Sequence, residues 1–390
     1  MRKKIILVIL CFVVTFFVIY LYNFNIKSYK EKNNFKHNGV IYAITKNGEK
    51  VSSFPSLSNY YVKVNCEGAD GKWLYDDWKL SIDNIVSDTI TCNIDFLNQG
   101  SEYNNIVQNN RLTSYIKSMV GTNQGDGKIV NENGYRYEGK NPNNYVLFNN
   151  EQYRIIGIFD QSTHGGEDEE LVKIIKDDPI ASPTFGTYKT SSNGSAPSCI
   201  GHNFSMGLAS SVVYNYYRSS NGTTSYYCDG HKICNFKGRG LEYDNQRIIA
   251  KANWYLSNDT SDKSGLTADE FYNFERASAT KNSSYVGLIY PSDYAYSVLS
   301  ENCPRTTTLN NYNTSNCSSK SWLYGKGMEW TIFGEAYIYY ITGGGRIAGM
   351  SSCPNELSVR PVFYLEQIVY FVDGDGSRDN PFVIPPYHVG

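Results

Sequence analysis

The sequence predicts an α+β protein: an N-terminal transmembrane helix, a small β-sandwich, then a larger, mostly β domain with helical insertions. Three observations carry this prediction. Residues 5–22 form one unbroken apolar run; three segments between residues 60 and 96 alternate apolar and polar side chains; and beyond residue 128 strand-like runs are interrupted by stretches of helical spacing.

The anchor comes first. Arg2, Lys3 and Lys4 precede the apolar run, which at about 1.5 Å per residue reaches roughly 27 Å, close to the thickness of a bilayer core. A cleavable signal peptide has a shorter apolar core, about 7 to 15 residues, followed by small residues. Here Asn23, Phe24, Asn25, Ile26 and Lys27 follow instead. Cys11 is no lipoprotein cysteine, because Leu10 stands where a small residue is needed and the run continues past it. The basic start places the N-terminus in the cytoplasm, so residues 1–27 read as a cytoplasmic tip and a single-span anchor at the cell membrane, with the C-terminal ectodomain extracellular.

Composition fits that side of the membrane. The 390 residues carry 36 Lys and Arg against 38 Asp and Glu. Setting aside the three basic residues before the span leaves 33 against 38, about −5, which is no electrostatic footprint for nucleic acid. Aromatic side chains make up 15% of the chain, with 34 Tyr, so a large core is available and disorder is not expected. Cys11 lies in the span, leaving eight cysteines outside: Cys66, Cys92, Cys199, Cys228, Cys234, Cys303, Cys317 and Cys353. In an oxidising compartment these read first as disulfides.

Residues 36–98 read as the small β-sandwich. Tyr60, Val62, Val64 and Cys66 share one face; so do Trp78, Leu80 and Ile82, and so do Ile90, Cys92, Ile94 and Phe96. One cysteine on each of two inward faces suggests a Cys66–Cys92 bond, worth roughly 3 to 4 kcal/mol through loop-closure entropy. Residues 99–127 read as a helix and linker, the helix carried by Leu112, Tyr115, Ile116, Met119 and Val120 and ended near Gly121.

Residues 128–390 read as the larger domain. Strands are expected at residues 145–148, 153–159, 171–176, 286–290, 330–333, 337–341, 359–365 and 368–372. Three helical stripes fall between them: Met206, Ala209, Val213, Tyr216 and Tyr217; Ile248, Ile249, Ala252 and Tyr255; and Phe271 with Phe274 behind a Thr267/Glu270 capping box. The acidic run Glu167, Asp168, Glu169, Glu170 reads as a solvated turn.

Several phrases in this domain resemble one family. NPNNYV (141–146), NNEQYRIIGIFD (149–160), AKANWYL (250–256), YNFER (272–276), VGLIYPSDYAY (286–296), SWLY (321–324), EWTI (329–332) and VRPVFYLEQIVYFVDGDGSRDNP (359–381) are similar, in that order, to a large family of membrane-anchored surface proteins of Gram-positive bacteria. The closing VRPVFYL run resembles the last strand of C-type-lectin-like domains, a group that includes formylglycine-generating enzymes and binding-only relatives. The resemblance implies a C-type-lectin-like fold for 128–390, a Cys303–Cys317 disulfide and a short Cys228–Cys234 disulfide. Cys199 and Cys353 are left over.

Little in the sequence carries catalysis. The lectin-like oxidases use a close cysteine pair before the last strand, whereas only Cys353 stands there. The histidines, His37, His164, His202, His231 and His388, fall in no hydrolase or zinc-protease spacing. Cys199, His202, Cys228, His231 and Cys234 have spacings that suit tetrahedral zinc, but oxidation outside the cell removes the thiolates that zinc needs. The disulfide reading is preferred, and no cofactor is expected. Asp373, Asp375, Ser377 and Asp379 begin like a calcium loop, yet Arg378 and Ile384 occupy the positions where an EF-hand needs Gly and Glu. Arg360, inside a β run, is expected to meet a carboxylate or backbone carbonyls as a clamp. The function that remains is recognition or adhesion at the cell surface, with a glycan or protein ligand; a cell-envelope enzyme using an Asp or Glu site and a structural envelope component are the alternatives.

Overall fold

The computed structural model describes residues 40–46, 48–55, 60–74, 79–97, 110–160, 162–164, 169–185, 208–218, 224–225, 234–236, 240–256, 261–278, 280–332, 337–351 and 356–385. The expected anchor lies outside them. Among the described residues no helix is long and apolar enough to cross a membrane. The chain divides into two compact units, up to Tyr103 and from Asn104 onward, and both are mainly β.

The first unit contains β1 (Val40–Lys46), β2 (Glu49–Val51), β3 (Tyr61–Glu67), β4 (Asp70–Leu74), β5 (Lys79–Asp83) and β6 (Ile90–Leu97). Four of them form a sheet in the order β2-β1-β6-β3, with β1 and β6 parallel, and β4 and β5 form a separate hairpin. The period-2 pattern of β6 turns Ile90, Cys92, Ile94 and Phe96 inward, and all four are buried. Trp73 from the hairpin meets Phe96 edge-on at 5.1 Å. Cys66 and Cys92 are bonded and stand directly opposite each other on antiparallel neighbours, with Cα atoms 4.1 Å apart. The bond therefore staples two strands of one sheet, not two sheets of a sandwich. The hairpin runs hard against it: a Cβ at Gly71 would fall 2.1 Å from Cys66 Sγ.

The second unit begins earlier than the sequence suggests. The first helix among the described residues, α1 (Leu112–Ser118), buries Leu112 and Ile116 completely in the larger core, and residues expected as linker already pair, Asn123 with Lys128. The strands that follow are β7 (Asp126–Asn131), β8 (Tyr135–Asn141), β9 (Tyr145–Phe148), β10 (Glu151–Phe159), β11 (Leu171–Lys176), β12 (Thr224–Ser225), β13 (Cys234–Asn235), β14 (Ile249–Ala250), β15 (Ala252–Leu256), β16 (Thr280–Ser284), β17 (Glu329–Trp330), β18 (Ile338–Ile341), β19 (Ile347–Met350), β20 (Val362–Leu365) and β21 (Phe382–Val383). Helices α2 (Leu208–Tyr217), α3 (Tyr243–Gln246), α4 (Ala268–Arg276) and α5 (Pro291–Ala295) lie between them.

The main sheet has eight strands in the order β14-β20-β11-β10-β8-β7, with β9 joined to β10 and β21 to β9. The long β10 makes this branching possible: its first half pairs with β9 and its last residues with β8, so one strand serves two partners on the same edge. A bulge between Ile155 and Gly157 marks the change of register on the β11 side. At Gly157 any Cβ would lie 2.2 Å from the Tyr135 carbonyl, so only glycine lets β8 approach. Residues 153–159 and 171–175 are buried without alternation, as in strands covered on both faces.

The structure departs from the sequence pattern at three segments. Ile248, Ile249, Ala252 and Tyr255 do not form a helix; Ile248 ends a turn, Ile249 enters β14 and Ala252 and Tyr255 enter β15, because β-branched and aromatic residues in a short apolar run find partners in β20 and β16. Residues 286–290 and 368–372 are not strands and make only single bridges, Gly287 to Val362 and Tyr370 to Arg111. The capping box at Thr267 and Glu270 does start α4. Cys303 and Cys317 are bonded and buried, closing the loop that carries Tyr312 into the core.

Candidate functional site

The interior of the second unit is unusually polar at one point. Arg136 on β8, Lys173 on β11, Glu275 at the end of α4, Asp293 in α5 and His164 in the turn after β10 converge there, each 1% exposed or less. Their elements explain their placement. Arg136 and Lys173 lie on neighbours of β10, with Phe159 packed on both cations at 4.6 and 5.2 Å. Asp293 occupies the third position of α5, where it also accepts from the Tyr290 amide at 3.3 Å.

Asp293 is the hub. Arg136 Nη1 donates to its Oδ1 at 2.9 Å and Lys173 Nζ to its Oδ2 at 2.5 Å. Burial opposes a charge on Asp293, but Lys173 and Arg136 outweigh it and hold the carboxyl far below the ordinary range. Burial lowers the Lys173 ammonium, against the pull of Asp293. Glu275 accepts from the Ser292 amide at 3.0 Å and from the Ser292 hydroxyl, and burial pushes it up to about 8, so it carries a proton at neutral pH. His164 stacks on Tyr290 at 4.3 Å with Nε2 3.2 Å from Glu275 Oε2; burial, with Lys173 nearby, keeps it neutral.

A second network reaches Glu138 of β8. Arg305 donates to both oxygens of Glu132 at 2.9 and 2.7 Å, to Glu138 at 2.8 Å and to the Val298 carbonyl at 2.9 Å. One guanidinium cannot neutralise two carboxylates in the same pocket. Burial accordingly pushes Glu138 up to about 8, while Glu132, against its own partial burial, is held below its ordinary value by Arg305. Arg154 lies between the rings of Tyr145 and Trp322 at 4.1 and 4.5 Å. Arg360 is the expected clamp: Nε and Nη2 grip the two oxygens of buried Glu329 at 2.8 and 2.7 Å, and Nη2 also reaches the Leu323 carbonyl at 3.4 Å.

Phe159, which packs on Arg136 and Lys173, also lines a cleft of about 200 Å3, together with Asn131, Gly134, Tyr135, Ile158, Asp160, Ser162, Thr163 and Glu170. No protein-family model, curated protein or solved structure matches this chain. The cleft is therefore read from its own chemistry. Asp160, despite some burial, is held below its ordinary value by hydrogen bonds from Ser162 and Thr163. Glu170 pairs with Lys117 at 2.9 Å, and Lys117 also lies over the Tyr135 ring at 5.3 Å. Amide, hydroxyl and carboxylate groups around one half-buried aromatic ring suit a small polar ligand.

Of the residues singled out in the sequence for zinc, Cys199, His202, Cys228 and His231 lie outside the described residues, as does Cys353. Cys234 is described only as part of β13, which pairs with β12. The Cys228–Cys234 bond therefore also falls outside them. Among the described residues no group of three His, Cys, Asp or Glu is placed to hold a metal. The 373–380 segment forms a tight turn, closed by the Asp375 and Gly376 amides on the Asn380 carbonyl. The five residues of the buried network were missed. Their signal is an ionisable residue inside an apolar phrase, Lys173 in LVKIIK and Asp293 in YPSDYAY, the same signal that singled out Arg360. Glu170, read as part of a solvated run, instead borders the cleft.

Proposed function

We propose that this chain is a membrane-anchored extracellular recognition or adhesion protein whose second unit is C-type-lectin-like and binds a glycan or another polar surface component. The observation that carries the reading is the polar cleft beside Tyr135, open to solvent, whereas Arg136, Lys173, Glu275, Asp293 and His164 are closed off in the interior. The resemblance of the 359–365 phrase to a closing lectin-like strand supports the fold name, since its residues supply β20 in the main sheet. The basic start and the apolar 5–22 run support the anchor, and two buried or half-buried disulfides suit an oxidising compartment.

Two carboxylates at one cleft favour the rival reading, a cell-envelope hydrolase. A glycosidase-type site needs one carboxyl that holds its proton at working pH. Asp160 is held in the opposite direction and Glu170 is ion-paired, so recognition is the stronger reading.

The test is a glycan and cell-wall array probed with the soluble fragment from Lys36 onward, alongside Asn131→Ala, Tyr135→Ala and Asp160→Asn. Binding that falls about tenfold or more in Tyr135→Ala supports the cleft, a loss in the range of one aromatic stacking contact. Binding unchanged in all three variants, or turnover of an arrayed glycan, sinks it.

A further inference from the structure

Lys173 and Asp293 are 120 residues apart in sequence and meet with both side chains fully buried. The rings of Phe159, Trp254, Tyr290 and Tyr364 stand 4.6 to 5.6 Å from Nζ, so the pair is enclosed by apolar and aromatic surface. Burial in such a place shifts the ammonium toward the free amine, against the pull of Asp293. A charge count leads to the same end. With His164 neutral and Glu275 protonated, the network would hold two cations, Arg136 and Lys173, on the single carboxylate of Asp293. It becomes neutral when Lys173 is a free amine. That amine would then touch a carboxyl whose other oxygen, Oδ1, is held by Arg136 at 2.9 Å.

We propose that Lys173 and Asp293 condense inside the folded second unit to an intramolecular amide bond, with Glu275 as the proton donor. The Nζ lone pair attacks Cγ of Asp293, and the C–Oδ2 bond breaks. Oδ2 leaves as water, taking one proton from Nζ and one from the Glu275 carboxyl; the other Nζ proton remains as the amide N–H. Arg136 on Oδ1 stabilises the charge that builds on the tetrahedral intermediate and afterwards bonds the amide oxygen.

Glu275 is fixed for this role by both polar groups of Ser292, the residue before Asp293. It ends as a carboxylate, so the buried network keeps one negative charge. The network has the same net charge before and after, so a single water is all that must leave the sealed site. No oxidant or cofactor is required. The product ties β11, in the middle of the main sheet, covalently to α5.

The measurement is the intact mass of the full chain after denaturation and complete reduction, followed by tryptic mapping. The expected result is a mass one water below that of Lys173→Arg, after correction for the substitution, with a branched peptide joining residues 173 and 293. Lys173→Arg keeps the cation beside Asp293 but has no amine that condenses in this way, so it serves as the uncrosslinked reference. Glu275→Gln should show at least a tenfold smaller cross-linked fraction. Wild-type protein at full mass, or a water deficit without the branched peptide, overturns the proposal whatever the variants do. Cross-linking undiminished in Glu275→Gln overturns the role of Glu275.

Discussion

Separating Arg360 from Glu329 should cost more than removing both. The pair is bidentate, with side chains 1% and 2% exposed, and it joins β17 to the segment that leads into β20. Glu329→Leu leaves a buried guanidinium with a single long bond, to the Leu323 carbonyl at 3.4 Å; Arg360→Met leaves a buried carboxylate without its two donors. Each single change should destabilise the second unit by about 3 to 5 kcal/mol, the cost of an uncompensated buried charge. The double variant has neither charge and keeps much of the volume, so it should cost no more than about 2 kcal/mol, leaving several kcal/mol of coupling. Urea unfolding followed by tryptophan fluorescence measures this, because Trp254, Trp322 and Trp330 all belong to the second unit. Single variants within about 1 kcal/mol of wild type, or a double variant costing the sum of the two, would refute the reasoning.

Glu138, pushed up to about 8, binds a proton in the folded state that it releases in the unfolded chain above its ordinary value of 4.5. Stability should therefore fall as pH rises between those values, by up to about 1.4 kcal/mol per pH unit, and Glu138→Gln should flatten that slope in urea titrations. Gly71→Val drives a side chain into Cys66 Sγ and should cost the first unit about 1 to 3 kcal/mol, read as an earlier transition by circular dichroism, whereas Gly48→Val, at a position with open space but positive φ, controls for backbone strain. Replacing Cys303 and Cys317 by Ser opens a 15-residue loop and should cost about 3 kcal/mol; a loss under 1 kcal/mol would show that packing alone holds the loop. If Cys228 is bonded to Cys234, His231→Ala should shift stability by no more than about 0.5 kcal/mol and a chelator should leave the melting temperature unmoved, while stoichiometric zinc in the purified protein would overturn that bond.

The parts of the fold legible in the sequence are those where one local rule acts alone. The alternation of β6 placed Cys92 on the inward face, and the Thr267/Glu270 capping box marked the start of α4. The misread segment 248–255 is a run whose spacing satisfies two periods at once, and the choice fell to distant partners in β20 and β16. The cleft was not legible, because Asn131, Tyr135 and Asp160 come from three strand ends with no shared motif. Arg360 and Lys173 carry the same signal, a charge inside an apolar run, but neither run identifies its partner, since Glu329 and Asp293 lie far away in sequence.

The position of β11 also decides when this protein can fold. One of its neighbours, β10, is made just before it, but the other, β20, arrives only with Val362–Leu365, and Trp322, which covers Arg154, is 168 residues downstream of it. Until those residues emerge, the growing chain holds an apolar strand pair with an open edge, a state prone to aggregation and slow to resolve. The first unit has no such wait, since β1 and β6 are both complete by Leu97. Chaperone dependence during synthesis thus belongs to the second unit. A chain cut short before Val362 becomes a substrate for proteolysis and not a smaller folded domain.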